Sequence, residues 1–130
     1  MKKAIIIFPG KNSTTKKFGE EISNFLLQRG LMTELIPIYN FEPNKLNGAD
    51  YLLISKWQDD NEATSFLNKL PSLEGIKTAI FTTYSLFSGS VIRKMKKYLR
   101  GKTDNLEFAF KSKDGSLSIS DKLTLNDFIR

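Results

Sequence analysis

The sequence predicts an α/β domain with a mainly parallel β-sheet, and three observations carry that prediction. Short, β-branched runs recur along the chain, continuously apolar after its start at Lys3 to Phe8 and with an apolar centre at Ile76 to Thr83, and such runs fit strands buried on both faces. Between them lie stretches whose apolar residues repeat at helical spacing and stop at Gly or Pro. Strands that alternate with helices need crossover connections onto parallel neighbours, and such sheets bind ligands at the carboxyl ends of their strands, where strand order reverses.

The elements follow in order. Lys3 to Phe8 is the first strand, closed by Pro9-Gly10. Phe18, Ile22, Phe25 and Leu26 recur at i, i+4, i+7 and i+8, and Arg29-Gly30 supplies a cationic last turn and a glycine just past the end of the first helix. Leu31 to Ile38 is a second strand, and Pro37, which has no N–H to donate, argues for an edge position. Tyr39 to Asn47 forms a connection with room for one helical turn. Asp50 to Ser55 gives the third strand, and Ala63, Phe66, Leu67 and Leu70 give a helix that Pro71 ends.

Ile76 to Thr83 is the fourth strand, followed by a helix with the stripe Val91, Met95 and Leu99, Ile92 and Tyr98 beside it. Arg100-Gly101 closes that helix as Arg29-Gly30 closes the first. Leu106, Phe108 and Phe110 then alternate with Glu107, Ala109 and Lys111, a half-exposed strand. Asp114-Gly115 turns into Leu117 and Ile119, so a hairpin of fifth and sixth strands is expected. Only Leu123 to Arg130 remains for a last helix, which leaves one sheet face thinly covered and open to a second subunit.

A chain of 130 residues is expected to form one domain, residues 1–130, around one core. The absence of cysteine excludes disulfides and thiolate chemistry, and the absence of histidine excludes Ser-His-Asp catalysis and imidazole-ligated metals. Any enzymatic chemistry is then expected from a cofactor. Lys2 and Lys3 precede an apolar run too short for a signal-peptide core, and no stretch approaches the length of a membrane span, so a cytoplasmic protein is expected. The net charge of +6 is concentrated at Arg93, Lys94, Lys96, Lys97, Arg100 and Lys102. That run suits a solvated helix face, or a docking face for an anionic partner. With Tyr98 read as part of the helix's apolar side, the run is expected to lack interleaved exposed aromatics, which argues against base recognition.

Three loops leave the carboxyl ends of strands. The first, Gly10-Lys11-Asn12-Ser13-Thr14-Thr15-Lys16-Lys17, is dense in hydroxyls, amides and cations. Free N–H groups at the start of a helix attract an anion, so the loop fits a phosphate, and it equally fits a plain helix cap by Ser13, Thr14 or Thr15. Walker A fails, because Thr15 stands at its second glycine and Lys17 at its Ser/Thr; a dinucleotide fingerprint fails at Asn12. The second loop, Ser55-Lys56-Trp57-Gln58-Asp59-Asp60, holds the only tryptophan, suited to stacking on a flat ligand or to half-burial at a loop base. The third runs from Thr82-Thr83-Tyr84-Ser85 through Ser88-Gly89-Ser90, where Thr83, Ser85, Ser88 and Gly89 can present backbone groups and Tyr84 a second ring, or Ser88 can cap the next helix.

With these residues the chain resembles the flavodoxin family, whose Ser/Thr-x-Thr-Gly-Asn-Thr loop wraps the phosphate of flavin mononucleotide (FMN) and is matched by Gly10 to Thr15. The second loop is similar to the family's Thr-Trp-Gly-Asp-Asp stretch. The resemblance implies a three-layer flavodoxin-like sandwich whose mainly parallel five-stranded sheet has the order 2-1-3-4-5. It implies FMN as cofactor, Lys11 to Thr15 on its phosphate, Trp57 and Tyr84 about the ring, and electron transfer to a protein partner. Given the charge of this chain, that partner is expected to be acidic, and the reduction potential less negative than is usual for the family. Gly10, Ser13 and Gln58 depart from the family's residues, which keeps open a flavin-free binding or regulatory module of the same fold.

Overall fold

The computed structural model describes residues 1–9, 13–55, 60–83, 88–103, 106–112 and 114–130, with the backbone alone at 13, 60–63, 88–92 and 107–111. Five strands, β1 (Lys3–Phe8), β2 (Met32–Pro37), β3 (Tyr51–Ser55), β4 (Lys77–Thr83) and β5 (Leu106–Ser112), alternate with helices α1 (Ser13–Gln28), α2 (Asp60–Lys69), α3 (Ser88–Leu99) and α4 (Ile119–Phe128). The strands form one sheet of order β2-β1-β3-β4-β5, and every pairing is parallel. This is the predicted order, with β2 and its Pro37 outermost.

Alternation along the central strands divides the core in two. Ile5, Ile7, Leu52, Ile54 and Ile80 pack against Phe66 of α2 and Met95 and Leu99 of α3, with Ile38, Phe41 and Leu46 from the connection after β2. Ala4, Ile6, Leu53, Ala79 and Phe81 pack on the other face against Phe18, Ile22 and Leu26 of α1 and Leu125 and Phe128 of α4. Successive residues of a strand face opposite ways, so a strand apolar at every position is one with helices on both sides. The connection after β2 begins at Ile38, which the sequence pattern places in the strand, and holds two 3-10 turns, Ile38–Asn40 and Pro43–Leu46, rather than one helical turn.

Helix α1 ends as its sequence predicts. Gly30 adopts φ +88, the N–H of Leu31 donates to Leu26 O at 3.2 Å, and that of Gly30 to Leu27 O at 3.0 Å, a Schellman stop. The second Arg-Gly pair behaves differently. Gly101 is not left-handed, and the N–H groups of Lys102 and Thr103 both donate to Leu99 O.

The expected hairpin after β5 is corrected. No sixth strand exists among the described residues, because Ser118 starts a helix. Its hydroxyl accepts from Asp121 N at 3.0 Å while its own N–H donates to the Asp121 carboxylate at 3.2 Å. Leu117 to Ile119 is thus a helix entry, and α4 is longer than Leu123 to Arg130 suggested. It covers the face expected to be thin: Phe128 lies 5.3 Å from the Tyr51 ring, and Tyr51 Oη donates to Ile129 O at 2.8 Å. No helix among the described residues is long and apolar enough to cross a membrane.

Candidate functional site

The sheet reverses direction between β1 and β3, since β2 lies to one side of β1 and β3, β4 and β5 to the other. Such a switch point opens a crevice at the carboxyl ends of the strands. The strands on one side of that point, β3, β4 and β5, end on hydroxyls. Ser55 closes β3, Thr82 and Thr83 close β4, and Ser112 closes β5, all buried, and Thr15 in the first turn of α1 is buried beside them. Buried hydroxyls need partners, and no buried side-chain nitrogen or oxygen among the described residues lacks one.

Those partners join the elements of the crevice. Thr15 and Thr83 share a hydrogen bond of 2.8 Å between their hydroxyls across 68 positions of sequence, which ties the start of α1 to the end of β4. Thr82 Oγ1 donates to Thr83 O at 3.3 Å. Ser112 Oγ donates to Ser116 O at 2.8 Å and accepts from Gly115 N at 3.0 Å, folding the chain after β5 back toward α1. Gly115, at φ +85, lies so close that a Cβ built on it would stand 2.9 Å from Thr14 O. The first turn of α1 is therefore braced from β4 on one side and from the turn after β5 on the other.

Electrostatically this turn suits an anion. It carries no acidic residue, Thr14 is partly exposed, and Lys16 and Lys17 are exposed, with Lys16 Nζ 5.7 Å from the centroid of the Phe8 ring at the end of β1. Unpaired N–H groups and the helix dipole favour negative charge at that end. Among the described residues no group of three His, Cys, Asp or Glu could hold a metal.

Of the residues singled out in the sequence, Thr14, Thr15 and Thr83 are brought together. Thr15 is placed with its hydroxyl on Thr83, so it braces the helix start. Ser13 opens α1, and Ser88 and Gly89 open α3, described by their backbone. Gly10, Lys11, Asn12, Lys56, Trp57, Gln58, Tyr84 and Ser85 lie outside the described residues. Sequence reasoning named Ser55, Thr82 and Gly115 only as loop or turn residues, gave them no site role and missed Ser112; the signal for the three hydroxyl residues was a hydroxyl at or near the end of a strand.

The chain matches solved flavodoxin structures over nearly all its length. It is similar to the flavodoxin of Streptococcus pneumonia, with a TM-score of 0.70 at 17% identity, covering 97% of this chain and 94% of that one. The flavodoxin has the same extent as the chain, and its sequence is mostly different. This chain has the flavodoxin-like fold. Two-electron reduced Megasphaera elsdenii flavodoxin gives 0.75 at 17% identity over 85% of this chain and 86% of that one. Oxidised Flavodoxin 2 from Bacillus cereus gives 0.69 at 18% identity over 98% and 94%. No protein-family model matches the sequence, and no curated protein does.

One titration reports on the brace within this flavodoxin-like fold. The backbone N–H of Ser116 donates to the Asp114 carboxylate at 2.9 Å and, with the Ser116 hydroxyl, holds its pKa below the ordinary 3.8. A depressed folded pKa stabilises the turn fully above the ordinary carboxylate value, and the contribution is lost as pH falls through the folded value. Carboxyl NMR titration is expected to give Asp114 a midpoint below that of aspartate in an unstructured peptide; a midpoint at or above it would remove this hydrogen bond from the account.

Proposed function

We propose that this chain is a flavodoxin-like FMN-binding protein, or one such domain spanning residues 1–130, that passes electrons to a partner. The observation that carries the reading is the braced, acid-free first turn of α1 at the switch point, where the Thr15–Thr83 bond fixes the helix start against β4. Its donors fit a phosphomonoester: N–H groups from Gly10 to Thr15 and the hydroxyls of Ser13 and Thr14, with Lys16 and Lys17 nearby and the Thr15 hydroxyl kept for the brace to Thr83. Trp57 and Tyr84 are the aromatic residues for the ring, and Lys56, Gln58, Thr83, Ser85, Ser88 and Gly89 are the groups assigned to its edges.

Bound FMN supplies the redox chemistry, and the chain binds it, orients it and limits water around it. That division suits a sequence without histidine or cysteine. An acidic redox partner suits its charge of +6.

Titration with FMN tests the reading. Near-equimolar uptake with a shifted visible spectrum and quenched flavin fluorescence is expected, and Trp57→Ala is expected to weaken binding by about tenfold. An unchanged FMN spectrum at millimolar protein would instead leave the flavin-free module of this fold, the reading favoured by the departures at Gly10, Ser13 and Gln58.

A further inference from the structure

From residue 75 to residue 103 the sequence contains seven lysines and arginines and no aspartate or glutamate. Six of the seven fall on α3 and the turn after it, and the structure arranges them. Met95 and Leu99 are wholly buried against the sheet, while Arg93, Lys97 and Arg100 are exposed. At i, i+4 and i+7 these three form one stripe facing away from the core, about 10 Å long. Among the described residues no carboxylate pairs with Arg93, Lys96, Lys97, Arg100 or Lys102. Beside the stripe, Lys96, Arg100, Thr103 and Leu106 line a cleft of about 410 Å³ between the end of α3 and the start of β5.

We infer that this stripe and cleft dock the acidic surface of a partner protein, with a carboxylate side chain entering between Lys96 and Arg100. Charge complementarity selects the partner: a cationic face whose described side chains include no carboxylate attracts clustered Asp and Glu and repels basic surfaces. The cleft adds a second element, because Leu106 offers an apolar wall to the stem of a side chain whose carboxylate meets the two cations. A membrane suits the face less well, since Tyr98 is the one large apolar side chain exposed among those described on α3. Tyr98 is exposed, which corrects the expectation that the run shows no exposed aromatic. Among the described residues of α3 it is a single ring, with Lys94 Nζ 6.0 Å from its centroid, and stacking of successive nucleic-acid bases uses several. The cleft is at the amino end of β5, away from the crevice, so the inference stands with or without flavin.

The test uses the unaltered chain, a labelled glutamate-rich peptide as probe, and amide NMR. Peptide-induced shifts are expected to concentrate in residues 93–103, with affinity falling steeply as salt rises. The triple variant Arg93→Gln, Lys97→Gln, Arg100→Gln is expected to bind the peptide about tenfold more weakly, each exposed charge adding a small increment. The control Lys2→Gln, Arg29→Gln, Lys122→Gln removes the same charge elsewhere and is expected to lose less than about threefold. Equal loss in both triples, or shifts scattered over the surface, would overturn the docking site. Tighter binding of a single-stranded oligonucleotide or of phosphatidylserine vesicles through the same stripe would overturn the choice of partner. The mapping needs no substitution, so it decides even where a variant misfolds.

Discussion

Phe81→Ala is expected to destabilise the fold by about 3–5 kcal/mol, the cost of an aromatic side chain and the cavity it leaves. Phe81 lies on the interior strand β4, fully buried, and its ring meets that of Phe18 edge-on, 5.8 Å between centroids at 80°. Phe18 stands near the start of α1, so this contact seats the helix whose first turn forms the crevice. In a domain of this size a loss of that order lowers the melting temperature by roughly 10 °C or more. Phe81→Leu keeps most of the volume and is expected to cost less than about 1.5 kcal/mol. Urea unfolding of the two variants checks the difference, and an alanine variant within about 1 kcal/mol of the parent would mean that this face repacks freely.

Gly115→Ala is expected to cost about 2–4 kcal/mol, because two penalties coincide there. The backbone sits at φ +85, and the added methyl would stand 2.9 Å from the carbonyl of Thr14, which cannot swing away as a side chain would. Gly48 separates the two effects. Its φ is +76 with nothing within 4 Å of an added Cβ, so Gly48→Ala is expected to cost only the conformational part, about 1–2 kcal/mol. Because Thr14 belongs to the proposed phosphate turn, Gly115→Ala is also expected to weaken FMN binding where Gly48→Ala does not. Equal effects of the two substitutions on stability would show that the turn after β5 does not press on α1.

The layout of the sheet was legible because its signals are local and independent. The continuous apolar run of β1 and the apolar centres of β3 and β4 predict strands covered on both faces, Pro37 predicts an edge, and Arg29-Gly30 predicts a helix stop that the hydrogen bonds of Gly30 and Leu31 complete. The region after β5 was misread where two local signals competed. Asp114-Gly115 does turn the chain, but Ser118 and Asp121 then form a capping box, and three residues of alternation cannot outweigh it. Gly101 shows the opposite failure, since the same dipeptide that stops α1 takes a different conformation after α3.

The candidate site was legible only in part. The loop hydroxyls drew attention by their density, whereas Ser55, Thr82 and Ser112 are ordinary as strand residues and become a group only when the strand order sets β3, β4 and β5 side by side. Their partners are also remote or indirect. The Thr15–Thr83 bond joins residues 68 positions apart, and the closeness of Gly115 to Thr14 depends on a turn that the expected hairpin had assigned elsewhere.

The outer rim of β2 bears on how the molecules behave when crowded. Pro37 has no hydrogen to offer a strand from another molecule, and Glu34, on the same strand, pairs with Lys45 at 3.2 Å, so a strand laid alongside would have to strip water from that charge pair. Growth of the sheet from that side into fibrils or strand-linked polymers is thereby discouraged, and concentrated solutions are expected to stay free of them along this rim.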